Sequence, residues 1–252
     1  MGYKYELHTH NCISSKCGRF SPAELVETFL EQGYAGIFTT DHFFNGNTSA
    51  PGGEYEWKYR LEKFCDGYRA VKKEGDKRGL DVFFGLEYTV PHRYDGGFNT
   101  NAGCDFLVTG IDEKWLENYG GDVETCPTNA YLNRIRSAGG IVIQAHPYRL
   151  NHDYMDHICL FPDCVDGVEV INTSPTTLPL TALAKAYADY YGFFETAGSD
   201  IHWNDRELLG VTELPEKAAD EKQFAQMLKA RRHSIYIKPN LRYNGRKWED
   251  KK

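Results

Sequence analysis

Tyr3-Lys4-Tyr5-Glu6-Leu7-His8-Thr9-His10 is the stretch from which the rest of the chain can be read. Apolar and polar residues alternate through Leu7, the period of a β-strand with one face on a core. Two histidines one residue apart at the end of such a strand point their imidazoles the same way. That is how a metal ion is gripped at a strand mouth. Alone, a His-x-His is weak, but the chain repeats the arrangement. Asp41-His42, Glu87, His146 and Asp200-Ile201-His202 each follow or end a short β-type run.

Strands are expected at Tyr3–Leu7, Ala35–Thr40, Val82–Leu86, Phe106–Thr109, Ile141–Ala145, Gly167–Ile171 and Phe194–Ala197. Helical patterns separate several of them. The clearest runs from Pro22 to Gln32: Ser21 and Glu24 form a capping box, Pro22 takes the first helical position and Gly33 ends it. Its apolar stripe is Leu25, Val26, Phe29 and Leu30. Further helices are expected around Trp57–Arg78, Asn129–Ser137, Leu178–Tyr191 and Glu216–Arg231. Strands alternating with helices imply a mostly parallel α/β sheet. Seven strands suggest a closed or nearly closed barrel, in which function gathers at the carboxyl ends of the strands. The ligand-type residues fall there.

The length, 252 residues, suits a single domain of barrel size, with Pro239–Lys252 as a polar, peripheral tail. Asn45–Gly53 and Pro91–Gly103 read as Gly/Asn-rich loops on the active side. A net charge of -7 argues against a nucleic-acid coat. It does not argue against a small phosphorylated substrate, because bound cations reverse the local field. No apolar run reaches the roughly 20 residues that span a bilayer, and the opening Met1–Glu6 has no apolar leader pattern. Seven cysteines without a framework spacing or a Cys-x-x-Cys suit a reduced, cytoplasmic setting.

Histidine nitrogen mixed with carboxylate oxygen suits zinc, manganese or iron. The candidates outnumber the ligands of one catalytic ion, which takes about three side chains. Two to three divalent ions are therefore expected. Such a centre can bind phosphate, supply a metal-bound hydroxide and stabilise a leaving oxygen.

Five segments carry a family resemblance: Glu6-Leu7-His8-Thr9-His10, Thr40-Asp41-His42, Gly85-Leu86-Glu87, Gln144-Ala145-His146-Pro147 and Gly198-Ser199-Asp200-Ile201-His202. In this order they resemble the polymerase-and-histidinol-phosphatase (PHP) superfamily. The resemblance implies a distorted (β/α)7, TIM-like barrel holding up to three divalent cations. By motif, His8, His10, Glu87 and Asp200 would hold the first ion. Glu87 would bridge to a second, shared with His146. The family's further ligand there, often histidine, has no match; Asp105 is the candidate, although it starts its strand instead of ending it. His42 and His202 would hold the third ion, with Cys17 in the loop slot usually filled by an acidic residue or histidine.

Other residues have two readings each. Asp41 orients a neighbouring imidazole more readily than it binds metal. Glu169 is either a site residue or a satisfied polar group on a barrel strand. Arg149 and Arg19 can clamp phosphate or pair on the surface. His92 is a loop-ligand candidate, and His152 and His157 face solvent or substrate. Cys65, Cys159 and Cys164 read as ordinary thiols. The resulting expectation is a metal-dependent phosphoesterase acting on a small phosphorylated metabolite or nucleotide. Arg149 and Arg19 would neutralise charge, and His202 or His42 would assist the leaving oxygen. Histidinol phosphate is an alternative substrate. A carbon–nitrogen metal hydrolase would want a carboxylated lysine, and no lysine ends a strand here. A non-catalytic metal-binding module should have lost ligands, and these are nearly complete.

Overall fold

A computed structural model describes residues 2–90, 104–149 and 158–243, with the backbone of 92–94 and 97–99. His152, His157, the side chain of His92, much of 91–103 and the tail from 244 lie outside the described residues. The strands are β1 (Tyr3–Glu6), β2 (Gly36–Thr39), β3 (Asp81–Thr89), β4 (His92–Tyr94), β5 (Gly97–Asn99), β6 (Asp105–Thr109), β7 (Ile141–Gln144), β8 (Gly167–Asn172), β9 (Phe194–Gly198), β10 (Leu208–Leu214) and β11 (Ser234–Pro239). The helices are α1 (Pro22–Glu31), α2 (Trp57–Arg78), α3 (Glu113–Tyr119), α4 (Thr128–Ser137), α5 (Thr181–Tyr191) and α6 (Glu221–Lys229).

Nine strands form one mixed sheet in the order β11-β10-β1-β2-β3-β6-β7-β8-β9. The sheet curls until its ends meet, giving the nearly closed TIM-like barrel. Beyond β1 and β9 the chain forms a parallel bridge from Thr9 to Ile201, with His10 N donating to Ile201 O at 3.0 Å. Lower down, Ala197 N donates to Thr212 Oγ1 at 3.0 Å, which joins β9 to β10. Gly210 is required at this seam: a Cβ there would lie 2.5 Å from Gly198 O.

Local sequence chemistry sets the elements. Ser21 and Glu24 form the capping box of α1, and Leu25, Val26 and Phe29 are buried against the sheet. Helix α2 ends on Gly79 in the left-handed conformation, φ 84°, after Lys77 and Arg78 have placed positive charge in its last turn. β2, β7 and β8 are buried along their whole length, as expected of strands covered on both faces. Phe224 of α6 packs on Tyr5, Phe38 and Phe83, with ring centroids 5.1, 4.6 and 6.5 Å away. It anchors the end of the barrel opposite the functional residues. Phe83, Gly85 and Glu87 share one face of β3, so this strand runs from the aromatic floor to the site.

Several features depart from the sequence expectation. β6 runs antiparallel to both β3 and β7. Between β3 and β6 lies a hairpin, β4 paired with β5, with no helix among the described residues. A connection that does not cross over the sheet returns the chain beside its own strand in the opposite direction; a parallel return needs a crossover. β10 and β11 were not anticipated, and the expected helix over Glu216–Arg231 narrows to α6 between them. Helix α3 is also additional; Asp112 caps it by accepting from Trp115 N at 2.8 Å. No described helix is long and apolar enough to cross a membrane.

Candidate metal centre

The reversed β6 resolves the position of Asp105. As the first residue of an antiparallel strand, it lies at the same end of the barrel as the last residues of the parallel strands. It pairs with Thr89 at the end of β3, and its Oδ2 is 3.9 Å from His146 Nε2. Thr89 Oγ1 donates to its other oxygen at 2.6 Å.

Glu87 is the hub. Its Oε1 lies 3.2 Å from His8 Nε2 and 3.5 Å from His146 Nε2. Its Oε2 lies 3.4 Å from His10 Nε2 and 2.7 Å from His42 Nδ1. Asp200 Oδ1 is 3.5 Å from His8 Nε2, 3.3 Å from His10 Nε2 and 3.6 Å from His202 Nδ1. Possible ligand atoms converge in the groups His8/His10/Asp200, Glu87/Asp105/His146, His10/His42/His202 and His8/His146/Glu169. Thus the structure gathers eight of the nine expected ligand positions. The third group closes on His10, where the sequence reading places Cys17. The Cys17 side chain lies against His42, a member of that group, and against Asn47. Ser15, in the same loop, reaches His10, its Oγ 3.3 Å from His10 Nδ1.

The donor set fits divalent cations. His8 Nε2, His10 Nε2, His42 Nδ1, His146 Nε2 and Glu87 Oε2 are buried and lack hydrogen-bond partners. His42 Nδ1 and Glu87 Oε2 approach closely but are not aligned as donor and acceptor. Each such buried orphan costs about 1–3 kcal/mol. Several facing one another are the arrangement expected of atoms whose lone pairs serve a common ion.

Charge balance in the protein alone is divided. Burial disfavours a charged His8, but Glu169, Asp200 and Glu87 outweigh it and raise its pKa well above the ordinary value. Burial likewise opposes a charged His42, and Glu87 and Cys17 overcome it, raising the pKa. His10 is pushed down to about 4 by burial and by His202 and His42. Burial also lowers His202 to about 4, against the pull of Asp200. Glu87 and Asp200 resist the upward push of burial because histidines surround them, and both stay well below the carboxylate range. Burial and the charge of Glu87 raise Asp105.

Two residues at the site sit in left-handed backbone, His146 at φ 27° and Asp200 at φ 50°. Strain of this kind costs about 1–3 kcal/mol and needs surrounding bonds to hold it. His146 N donates to Glu169 Oε2 at 3.0 Å. Arg206 Nη2 donates to Asp200 O at 2.8 Å, and its Nε to Ser199 O at 3.1 Å. Glu6 accepts from His8 N at 3.0 Å and Ser199 N at 2.8 Å, tying β1 to β9 beneath the site. Arg149 Nη1 lies 3.1 Å from Asp200 Oδ2. Arg19 is exposed, and its backbone N donates to His202 O at 2.8 Å. Sequence reasoning missed Ser15, Arg206 and Glu6. Glu6 alternates with His8 and His10 and could have been flagged; Ser15 and Arg206 lie in loops with no periodic signal.

The sequence matches no protein-family model and no curated protein. Solved structures do match in fold. One is a two-domain protein from Bacteroides vulgatus containing a predicted PHP-like metal-dependent phosphoesterase: 16% identity, TM-score 0.60, 94% of this chain covered. This chain spans 65% of that protein's length. A second, from Bifidobacterium adolescentis, is described provisionally as a metal-dependent phosphoesterase: 14% identity, TM-score 0.50, with 79% of this chain and 87% of that chain covered. A third is an amidohydrolase from Chromobacterium violaceum with bound sulfate: 15% identity, TM-score 0.52, with 94% and 98% covered. At such identities the shared property is the barrel fold.

Proposed function

We infer that the protein is a metal-dependent phosphoesterase acting on a small phosphorylated metabolite or nucleotide. The carrying observation is the set of buried, partnerless ring nitrogens facing Glu87, with an arginine at their edge. His8, His10, Glu87 and Asp200 would hold one cation, Glu87, Asp105 and His146 a second, and His42 and His202 a third. Bound divalent cations supply Lewis acidity toward a phosphoryl oxygen and an activated water.

The protein's own residues supply the rest. The Arg149 side chain is 29% exposed, so its guanidinium reaches both Asp200 and the solvent side. It can fix a phosphate oxygen bidentately and neutralise charge as the ester bond breaks. Arg19, with its backbone fixed to His202, provides a second positive group at the rim. His8 and His10 have fully buried side chains, whereas His42 and His202 are 15% and 14% exposed. The latter two are therefore the ligands nearest the substrate side, where a cation they held would stabilise a leaving oxygen. The sulfate bound by the Chromobacterium protein has the shape and charge of a phosphate, which supports an anionic tetrahedral ligand. Against a carbon–nitrogen hydrolase that uses a carboxylated lysine, no described strand ends on a lysine. Nothing in the converging side chains selects histidinol phosphate over other small phosphate esters.

The test is phosphate release from a panel of phosphorylated metabolites by protein loaded with zinc, manganese or iron, beside Asp200→Asn. Turnover of at least one ester, abolished in the variant, is expected. A metal-loaded protein inert toward every ester, or equally active as Asp200→Asn, would refute the assignment.

A further inference from the structure

An imidazole offers a lone pair from one nitrogen only when the other carries the proton. The partners of each ring therefore say which nitrogen is available. His8 Nδ1 lies 3.0 Å from Glu169 Oε1. The other Glu169 oxygen accepts from His146 N at 3.0 Å and Asn172 Nδ2 at 2.9 Å. A carboxylate engaged in this way accepts, so His8 Nδ1 donates and Nε2 is left free.

His10 Nδ1 faces Ser15 Oγ. A hydroxyl has one proton, and Ser15 gives it to Asp41 Oδ1 at 2.7 Å. Toward His10 and toward His42 N, 3.0 Å away, the same oxygen must accept. Asp41 is committed as an acceptor by Asn11, which donates both its backbone N, at 2.8 Å, and its side-chain amide. His10 therefore also carries its proton on Nδ1. His202 Nδ1 is 3.0 Å from the carbonyl of Asp200, which accepts only. His42 is the exception: its buried, partnerless atom is Nδ1, and this atom faces Glu87.

We propose that the centre is keyed ring by ring. His8, His10 and His202 present Nε2 to the cations and His42 presents Nδ1; Glu169 and the Ser15–Asp41 pair are the positioning residues that enforce it. This rests on the metal-centre reading above. Partners of this kind usually matter about 10–100-fold in metal affinity.

The test is nitrogen NMR of histidine-labelled, zinc-loaded protein, with signals assigned by single histidine replacements. Nδ1–H with zinc at Nε2 is expected for His8, His10 and His202, and the reverse for His42. In parallel, Glu169→Gln and Ser15→Ala should lose about 10–100-fold in zinc affinity while the melting temperature of the chelator-stripped protein holds. The proposal is overturned by zinc on Nε2 of His42, or on Nδ1 of the others. Parent-like zinc affinity in both variants also overturns it, as does a loss of affinity matched by a falling stripped melting temperature. A parent that takes up no zinc refutes the metal-centre reading itself; a parent that binds zinc through the wrong nitrogens refutes only the keying.

Discussion

Glu87→Gln is the most informative single substitution. The change keeps shape and volume and removes one negative charge, so packing contributes little. What it removes is large, because the carboxylate is buried and meets four imidazoles, His8 and His146 on Oε1 and His10 and His42 on Oε2. Taking away one partner from a buried charge arrangement costs about 3–5 kcal/mol. At about 1.4 kcal/mol per tenfold, that is roughly a 10²- to 4 × 10³-fold loss of cation affinity. The two oxygens face different histidines, so the loss should fall on more than one ion. Elemental analysis after zinc loading and desalting, with chelator-competition titration, would read this. His146→Ala is the comparator, because its Nε2 faces only one Glu87 oxygen, Oε1, together with Asp105. The comparator should lose one ion and Glu87→Gln at least two. A Glu87→Gln protein with the parent's metal count and affinity would show that the carboxylate is not the bridge.

Metal uptake should depend on pH. His8 and His42 have pKa values held above the ordinary range, so both rings are protonated near neutrality in the stripped protein. A cation must displace those protons; affinity therefore rises with pH and is lost on acidification, and zinc addition to a weakly buffered sample should acidify it. A pH-independent zinc titration would count against this. Cys17 lies beside His42 but outside the converging groups, so Cys17→Ser should keep the full metal count and the parent thiol should alkylate in the zinc-loaded protein. Protection of Cys17 until a chelator is added would restore it as a ligand. Phe224→Ala should destabilise the fold by about 3–5 kcal/mol by emptying the aromatic floor. Denaturant unfolding would measure that loss, and the metal stoichiometry of the folded protein should not change.

The sequence by itself determined which side chains cluster and at which end of the sheet they collect. Residues one apart on a strand share a face, and a strand followed by a helix delivers its last residues to the barrel mouth. Local backbone geometry was therefore enough to read His8, His10, His42, Glu87, His146, Asp200 and His202. The capping box of α1 was legible for the same reason, since its two bonds join residues three apart. Tertiary structure decided the rest. Asp105 could be placed only once the hairpin had reversed β6, a consequence of how the chain returns after β3. Ser15 donating to Asp41 and Glu169 beneath His8 join segments 26 and 161 residues apart in sequence. Hydrogen-bond partners at such separations are fixed by packing across the barrel, and no period or spacing along the chain encodes them.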